Sequence, residues 1–361
     1  MAIKAKHYFP GANTPDGFLN YFKYILNTEE ANRIFCIKGG PGTGKSSFMK
    51  KVGEYYIEKG YEVEYHHCSS DNTSLDGVVV MELKIAILDG TSPHITDPIT
   101  PGVIDEILNF GNCWDENLLK DHKDEIVETT TYINRNFQRV YKYISASKFI
   151  YNDWKVLNYN AINLNKLNLL QEELKNQILP LAISIPGKNR HLFATGFTPN
   201  GIVTYIKDLV KDYKNVFVLE GAPGTGKNYI LQFLAKEALK RGVDIISLHN
   251  PLIPDNLEHL LIPELNTALV TTNALTNLDF EGTHLYMSDY MNQEFLKENQ
   301  YKIVSSSQDF YYILNKGLEI LTDCKEAHDK LESYFIPAMD FNKVNDIFDY
   351  VINKCNLFLS L

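Results

Sequence analysis

The chain has 361 residues, 44% hydrophobic and 22% charged, which is long enough for two domains that each bury a core. The net charge is −10 and only five of the 35 basic residues are arginine, so a basic surface of the kind that grips DNA or RNA is not expected. The longest apolar runs, at 78–81 and 85–88, are far shorter than the ~20 residues a membrane-spanning helix needs. The opening residues show no signal peptide. Five scattered cysteines without CxxC spacing read as reduced thiols, and together these features point to a cytoplasmic protein.

Taken in chain order, 33–38 (RIFCIK) is a short β-rich run entering the glycine-rich octet GGPGTGKS at 39–46. A helix follows to Gly60, with Phe48, Met49, Val52 and Tyr56 on one face. Strands are expected at 61–67 and 84–89, the second ending in IAILD with Asp89 at its carboxyl end. A Pro-, Gly- and Asp-rich stretch at 89–116 comes next, and then helical patterning over about 121–178. After a Pro/Gly break at 179–188 the series returns. There is a strand at 216–220, the octet GAPGTGKN at 221–228, a helix to Gly242, strands at 243–249 and 266–271, and helical patterning over about 306–358.

The return is a duplication. An offset of 182 superimposes Gly39 on Gly221, Lys45 on Lys227, Gly60 on Gly242, His67 on His249, Leu75 on Leu257 and Glu82 on Glu264 without a gap. Residues 7–18 match 191–202 at offset 184, and 151–168 match 328–345 at offset 177. The expected architecture is therefore α/β: two tandem domains, 1–182 and 183–361, each a parallel sheet flanked by helices with an appended α-helical hairpin.

GGPGTGKS satisfies G-x-x-x-x-G-K-[ST] between a strand and a helix. Glycines let consecutive N–H groups and the positive end of the helix converge on an anion. Lys45 would reach the outer phosphates, and Ser46 and Asp89 would hold Mg2+. In the second half Ser46 becomes Asn228 and Asp89 becomes Thr271, so both magnesium-side groups change together while the glycines and Lys227 persist. One working site and one degenerate site follow.

At these residues the chain resembles the P-loop NTPase superfamily, with GxPGTGKS most like AAA-like ATPases. The overall pattern is similar to tandem P-loop proteins described as ATPases or nucleotide kinases. The resemblance implies phosphate contacts at Gly39, Gly40, Pro41, Gly42, Thr43, Gly44, Lys45, Ser46 and Ser47. The second loop would offer Gly221, Ala222, Pro223, Gly224, Thr225, Gly226, Lys227 and Asn228. ATP is implied over GTP because no NKxD sequence is present. In many kinases the Asp89-type strand neighbours the loop strand, whereas AAA-like ATPases place another strand between them.

AAA-like ATPases follow that aspartate with a glutamate that activates water; here Gly90 follows Asp89. Candidates for chemistry just beyond are His94 and Asp97, with Asp105 and Glu106 behind them. Arg33, Arg135, Arg139 and Arg190 are candidates for stabilising a transferring phosphoryl group. The reading is a magnesium-dependent ATPase acting at the first loop, with a nucleotide or small-molecule kinase and a nucleotide-dependent binding module as alternatives. Neither the acceptor nor the protein partner is named by the residues, and a monomer acting as a pseudo-dimer fits the duplication.

Overall fold

The computed structural model describes residues 5–91, 97–181 and 185–360. The first half runs β1 (Ala5–Tyr8), β2 (Gly11–Thr14), β3 (Gly17–Asn20), β4 (Arg33–Lys38), α1 (Lys45–Glu58), β5 (Val63–Cys68), β6 (Asp71–Val80), β7 (Ile85–Asp89), β8 (Asp105–Asn109), α2 (Glu116–Lys120), α3 (Lys123–Tyr159) and α4 (Leu164–Ile178). The second repeats it as β9 (Asn189–Leu192), β10 (Thr195–Thr198), β11 (Gly201–Thr204), α5 (Ile206–Val210), β12 (Asn215–Glu220), α6 (Lys227–Lys240), β13 (Ile245–His249), β14 (Leu257–Ile262), β15 (Thr267–Thr272), β16 (Thr283–Tyr286), α7 (Gln293–Glu298), α8 (Gln300–Phe335) and α9 (Phe341–Asn356). No helix among the described residues is long and apolar enough to cross a membrane.

Each half is α/β around a six-stranded sheet, ordered β1-β5-β6-β7-β4-β8 and, in mirror listing, β16-β12-β15-β14-β13-β9. The sheets are mixed rather than parallel. β6 and β14 enter antiparallel to both neighbours, while β4 is parallel to β7 and β8. β5 and β6 are joined by only Ser69 and Ser70, and so short a connection can join antiparallel strands only. β7 lies directly beside β4, with no strand between them.

The helical segments do not form one hairpin per half. α3 has neither Gly nor Pro over 37 residues, so nothing interrupts a rod of about 55 Å. Its buried positions Ile133, Val140, Ile144, Ser147 and Trp154 repeat at the spacing of an antiparallel coiled-coil seam. The partner is α8 of the other half: Ile133 clusters with Ala327 and Leu331, Tyr143 lies on Gly317, and Trp154 meets Phe310. At Gly317 an added Cβ would stand 3.1 Å from that of Tyr143, so glycine permits the crossing.

The short helices then exchange. α4 lays Leu167, Leu170 and Leu174 against Ile230, Leu231 and Leu234 of α6 in the second half. α9 returns the arrangement, packing Val344, Phe348, Val351 and Ile352 against Phe48, Met49 and Val52 of α1 in the first. Each such Val, Ile or Phe contributes roughly 1.5–3 kcal/mol by leaving water. The sequence repeat reads equally well with either partner, which is why the local expectation of a hairpin fails. At the centre, Phe9 and Phe193 exchange backbone hydrogen bonds (2.9 and 3.0 Å) across a pseudo-two-fold axis.

Candidate functional site

Between β4 and α1 the first loop turns through Gly42 (φ 65°) and Gly44 (φ 86°), conformations that side chains oppose. Thr43 Oγ1 donates to the Gly40 carbonyl (2.8 Å), closing the turn. Lys45 Nζ donates to the same carbonyl at 2.7 Å and lies 3.7 Å from an oxygen of Asp89. The other Asp89 oxygen accepts the Thr91 N–H (2.8 Å), and Thr91 Oγ1 donates to Gly39 O (2.9 Å). Adjacency of β4 and β7 thus brings cation and carboxylate to one end of the sheet. Ser46 Oγ accepts the Leu75 N–H (3.0 Å) of β6. Pro41 through Ser47, together with Asp89, line a cavity of about 1420 Å3 that runs beneath α3 and α8.

Beside α3, the roof of this cavity is supplied by the other half. Phe335 of α8 lies over Gly40, Phe341 over Gly44, and the backbone of Glu332 presses on Gly42. The Glu332 carboxylate accepts the Gly42 N–H at 3.3 Å. His328 Nδ1 stands 3.7 Å from the same Glu332 oxygen, and burial lowers its pKa, so the ring is neutral near pH 7. None of these residues stands out in the sequence, because they lie nearly 300 positions from the loop they cover. The available signal was the 177 offset, which sets Glu332 opposite Lys155.

The second loop keeps the backbone and changes its surroundings. Gly224 (φ 81°) and Gly226 (φ 96°) repeat the turn, and Thr225 Oγ1 donates to Ala222 O (2.9 Å). Lys227 is buried and folds back onto Gly221 O, Ala222 O (2.7 Å) and Thr225 Oγ1 (3.3 Å). Burial pulls its pKa down to about 7. Asn228 Oδ1 accepts the Leu257 N–H (2.8 Å), as Ser46 accepts that of Leu75, while its Nδ2 donates to Asn256 (3.1 Å). Thr271, in the place of Asp89, accepts from Asn273 (2.8 Å). Asn158 donates to Pro223 O (2.7 Å), and the Lys155 carbonyl lies where a Cβ on Gly224 would project.

The remaining candidates separate from the cavity. His94 lies outside the described residues. Asp97 is well exposed and paired with Lys38 at 2.8 Å, and it does not line the cavity. Asp105 is buried as a loop brace, accepting the N–H groups of Ile99 (2.9 Å) and Thr100 (2.6 Å). Glu106 takes Tyr350 and Lys354 at 2.5 Å each and so anchors α9, with Arg33 3.8 Å away. Arg190 is a structural cation between the halves, paired with buried Glu64. Arg139 donates to Asn136 (3.0 Å), and neither it nor Arg135 lines the cavity. Glu82 accepts the Glu62 N–H and caps a strand. The lining cations are instead lysines: Lys45, Lys50, Lys51, Lys142 and Lys325.

Comparison of the chain with protein-family models, curated proteins and solved structures finds no match.

Proposed function

We propose that the protein is a magnesium-dependent ATPase of the P-loop kind, working at the first loop and carrying a degenerate second one. The observation that carries this reading is the contrast between two loops of one backbone. The first opens its αL glycines, Lys45 and Asp89 onto a large cavity. In the second, Lys227 makes the same carbonyl contact as Lys45 but is buried, adds Gly221 O and Thr225 Oγ1, and has Thr271 in place of the carboxylate, while Asn158 donates to Pro223 O.

The donor set of the first loop suits the metal and the nucleotide. Asp89 and Ser46 are hard oxygen ligands lining the same cavity, appropriate to Mg2+, and the loop amides with Lys45 suit a polyphosphate. Bound Mg2+ would neutralise phosphate charge. Lys45 orients the outer phosphates, and the β4–β7 pairing keeps Asp89 beside it.

A second reading, a kinase, draws support from two observations. β7 lies directly beside β4, the order associated above with kinases, and the cavity exceeds the ~300–1,000 Å3 of an ordinary ligand site, leaving room for an acceptor. Titration calorimetry with Mg-ATP, followed by product analysis with and without candidate acceptors, tests both. The wild type is expected to bind Mg-ATP and release phosphate. Lys45→Ala should lose at least tenfold in affinity and nearly all turnover. Equal heats for the two proteins would defeat the proposal, and phosphate appearing only on an acceptor would select the kinase.

A further inference from the structure

We infer that Glu332, delivered by α8 of the second half, is the carboxylate that faces the outer phosphate at the first loop and takes the proton of the attacking water. This rests on the ATPase reading and supplies the base missing from it, since Gly90 occupies the position after Asp89.

Three observations converge. First, the Glu332 carboxylate accepts the Gly42 N–H (3.3 Å), one of the amides that the loop would offer to a phosphate oxygen. A triphosphate bound on the same amides would compete with the carboxylate for this N–H, which puts Glu332 within reach of the phosphate end of the ligand.

Second, the group is held there by backbone as well as side chain. A Cβ on Gly42 would lie 2.9 Å from the Glu332 carbonyl and 3.1 Å from its Cα, so this turn of α8 is seated directly on the loop and only glycine admits it there. The charged and titratable neighbours on α8 are His328, Lys325 and Asp329; Asp71 of β6 faces Lys325 at 3.5 Å.

Third, the two halves vary together. The residue equivalent to Glu332 over the second loop is Lys155, whose carbonyl touches Gly224 as that of Glu332 touches Gly42. The loop site that carries Asn228 in place of Ser46 and Thr271 in place of Asp89 is therefore also covered by Lys155 where the first loop has Glu332. A glutamate kept merely to brace helix against loop has no reason to change with the magnesium ligands, because the brace itself, main chain on glycine, is the same at both loops.

In the step so defined, the water oxygen bonds to the γ-phosphorus. The bond from that phosphorus to the β–γ bridging oxygen breaks, with its electron pair leaving on ADP. The water proton passes to the Glu332 carboxylate and then to solvent.

The test uses the full chain as wild type, Glu332→Gln, Glu332→Asp and Lys45→Ala, with Mg-ATP binding by calorimetry and phosphate release under single turnover. Glu332→Gln is expected to bind Mg-ATP as tightly as the wild type or several-fold tighter, since a competing anion is gone. Its turnover should fall about 100-fold or more, the usual worth of a general base. Glu332→Asp should recover part of the rate. Turnover of Glu332→Gln within twofold of wild type overturns the inference. So does a parallel loss of affinity and rate, or of stability, in both Glu332 variants, which would mark a brace. Wild type that binds Mg-ATP without releasing phosphate overturns the inference and leaves nucleotide binding standing, whereas wild type that binds nothing removes the ATPase reading itself.

Discussion

Arg190 and Lys45 are both cations beside a carboxylate, and their surroundings give them opposite tasks. Arg190 crosses between the halves and engages all three guanidinium nitrogens: Nη1 and Nη2 donate to the two oxygens of Glu64 (3.0 and 2.6 Å), Nε to Tyr24 O and Nη2 to Ile25 O (2.8 Å each). Glu64 is fully buried; desolvation opposes its charge, but Arg190 overcomes this and holds its carboxyl far below the usual range. Removing one partner strands the other, so Arg190→Ala should lose about 3–5 kcal/mol in urea denaturation. Arg190→Met combined with Glu64→Leu should recover most of it, because no buried charge remains. A single variant as stable as the double one would show that the pair is not desolvated. Lys45, by contrast, rests on Gly40 O and 3.7 Å from Asp89, whose other oxygen takes Thr91, and Lys45, Asp89 and Thr91 all line a cavity wide enough to admit a ligand.

At the scale of elements, exchange of α4 and α9 means that each sheet is covered by the helix that ends the other half. Phe348 has its ring under Lys51 (4.0 Å) and edge-on to Phe48 (5.9 Å), so Phe348→Ala should destabilise by about 3–5 kcal/mol. The damage should appear in the first half: hydrogen exchange is expected to quicken in β4 to β8 more than in β12 to β16. Leu170→Ala on α4 should do the reverse. If each variant weakened its own half of the sequence instead, the exchange of helices would be wrong. The repeat made the two halves legible because it is linear, and the glycine loops were legible because every residue they need is local. An amphipathic stripe shows that a helix has a buried face without naming what buries it, and two similar halves offer equivalent partners. β6 is hard to read in the sequence for a different reason. It begins in polar DNTS, passes Gly77, and alternates poorly, with register shifts at His66 and His67 where it pairs with β5. Glu332 was illegible from the loop outward, since its place depends on α3 and α8 pairing across the whole molecule.

For the molecule as a whole, the pseudo-two-fold axis is built from aromatics and from two histidine pairs that favour neutrality. His7 Nδ1 meets His67 Nε2 at 2.8 Å, and His191 Nδ1 meets His249 Nε2 at 2.7 Å. His67 and His249 also set their Nδ1 atoms on the carbonyls of Asn72 (2.9 Å) and Pro254 (2.6 Å), which assigns the proton to Nδ1 and the lone pair to Nε2. Tyr205 of the second half packs at a tilt against His67 (4.7 Å between ring centres), and Tyr21 of the first against His249 (4.9 Å), so each pair is flanked by an aromatic ring of the opposite half. Desolvation first, and then the neighbouring histidine, lowers the pKa of His67 to about 4; His249 is lowered likewise to about 4, with the Pro254 carbonyl opposing. The unfolded chain, with ordinary values near 6.5, binds these protons first as the pH falls. The stability they contribute is therefore complete above about pH 6.5 and is lost progressively toward about pH 4. Urea midpoints are expected to drop between about pH 7.5 and about pH 5, and His67→Gln with His249→Gln should shrink that drop while leaving carboxylate titration untouched. Asp208 and Lys211 near His7, Lys50 near His67, and Lys23 near His191 tune the pairs without sharing their burial. An unaltered pH dependence in the double variant would place the acid sensitivity elsewhere and leave the axis held by its aromatics alone.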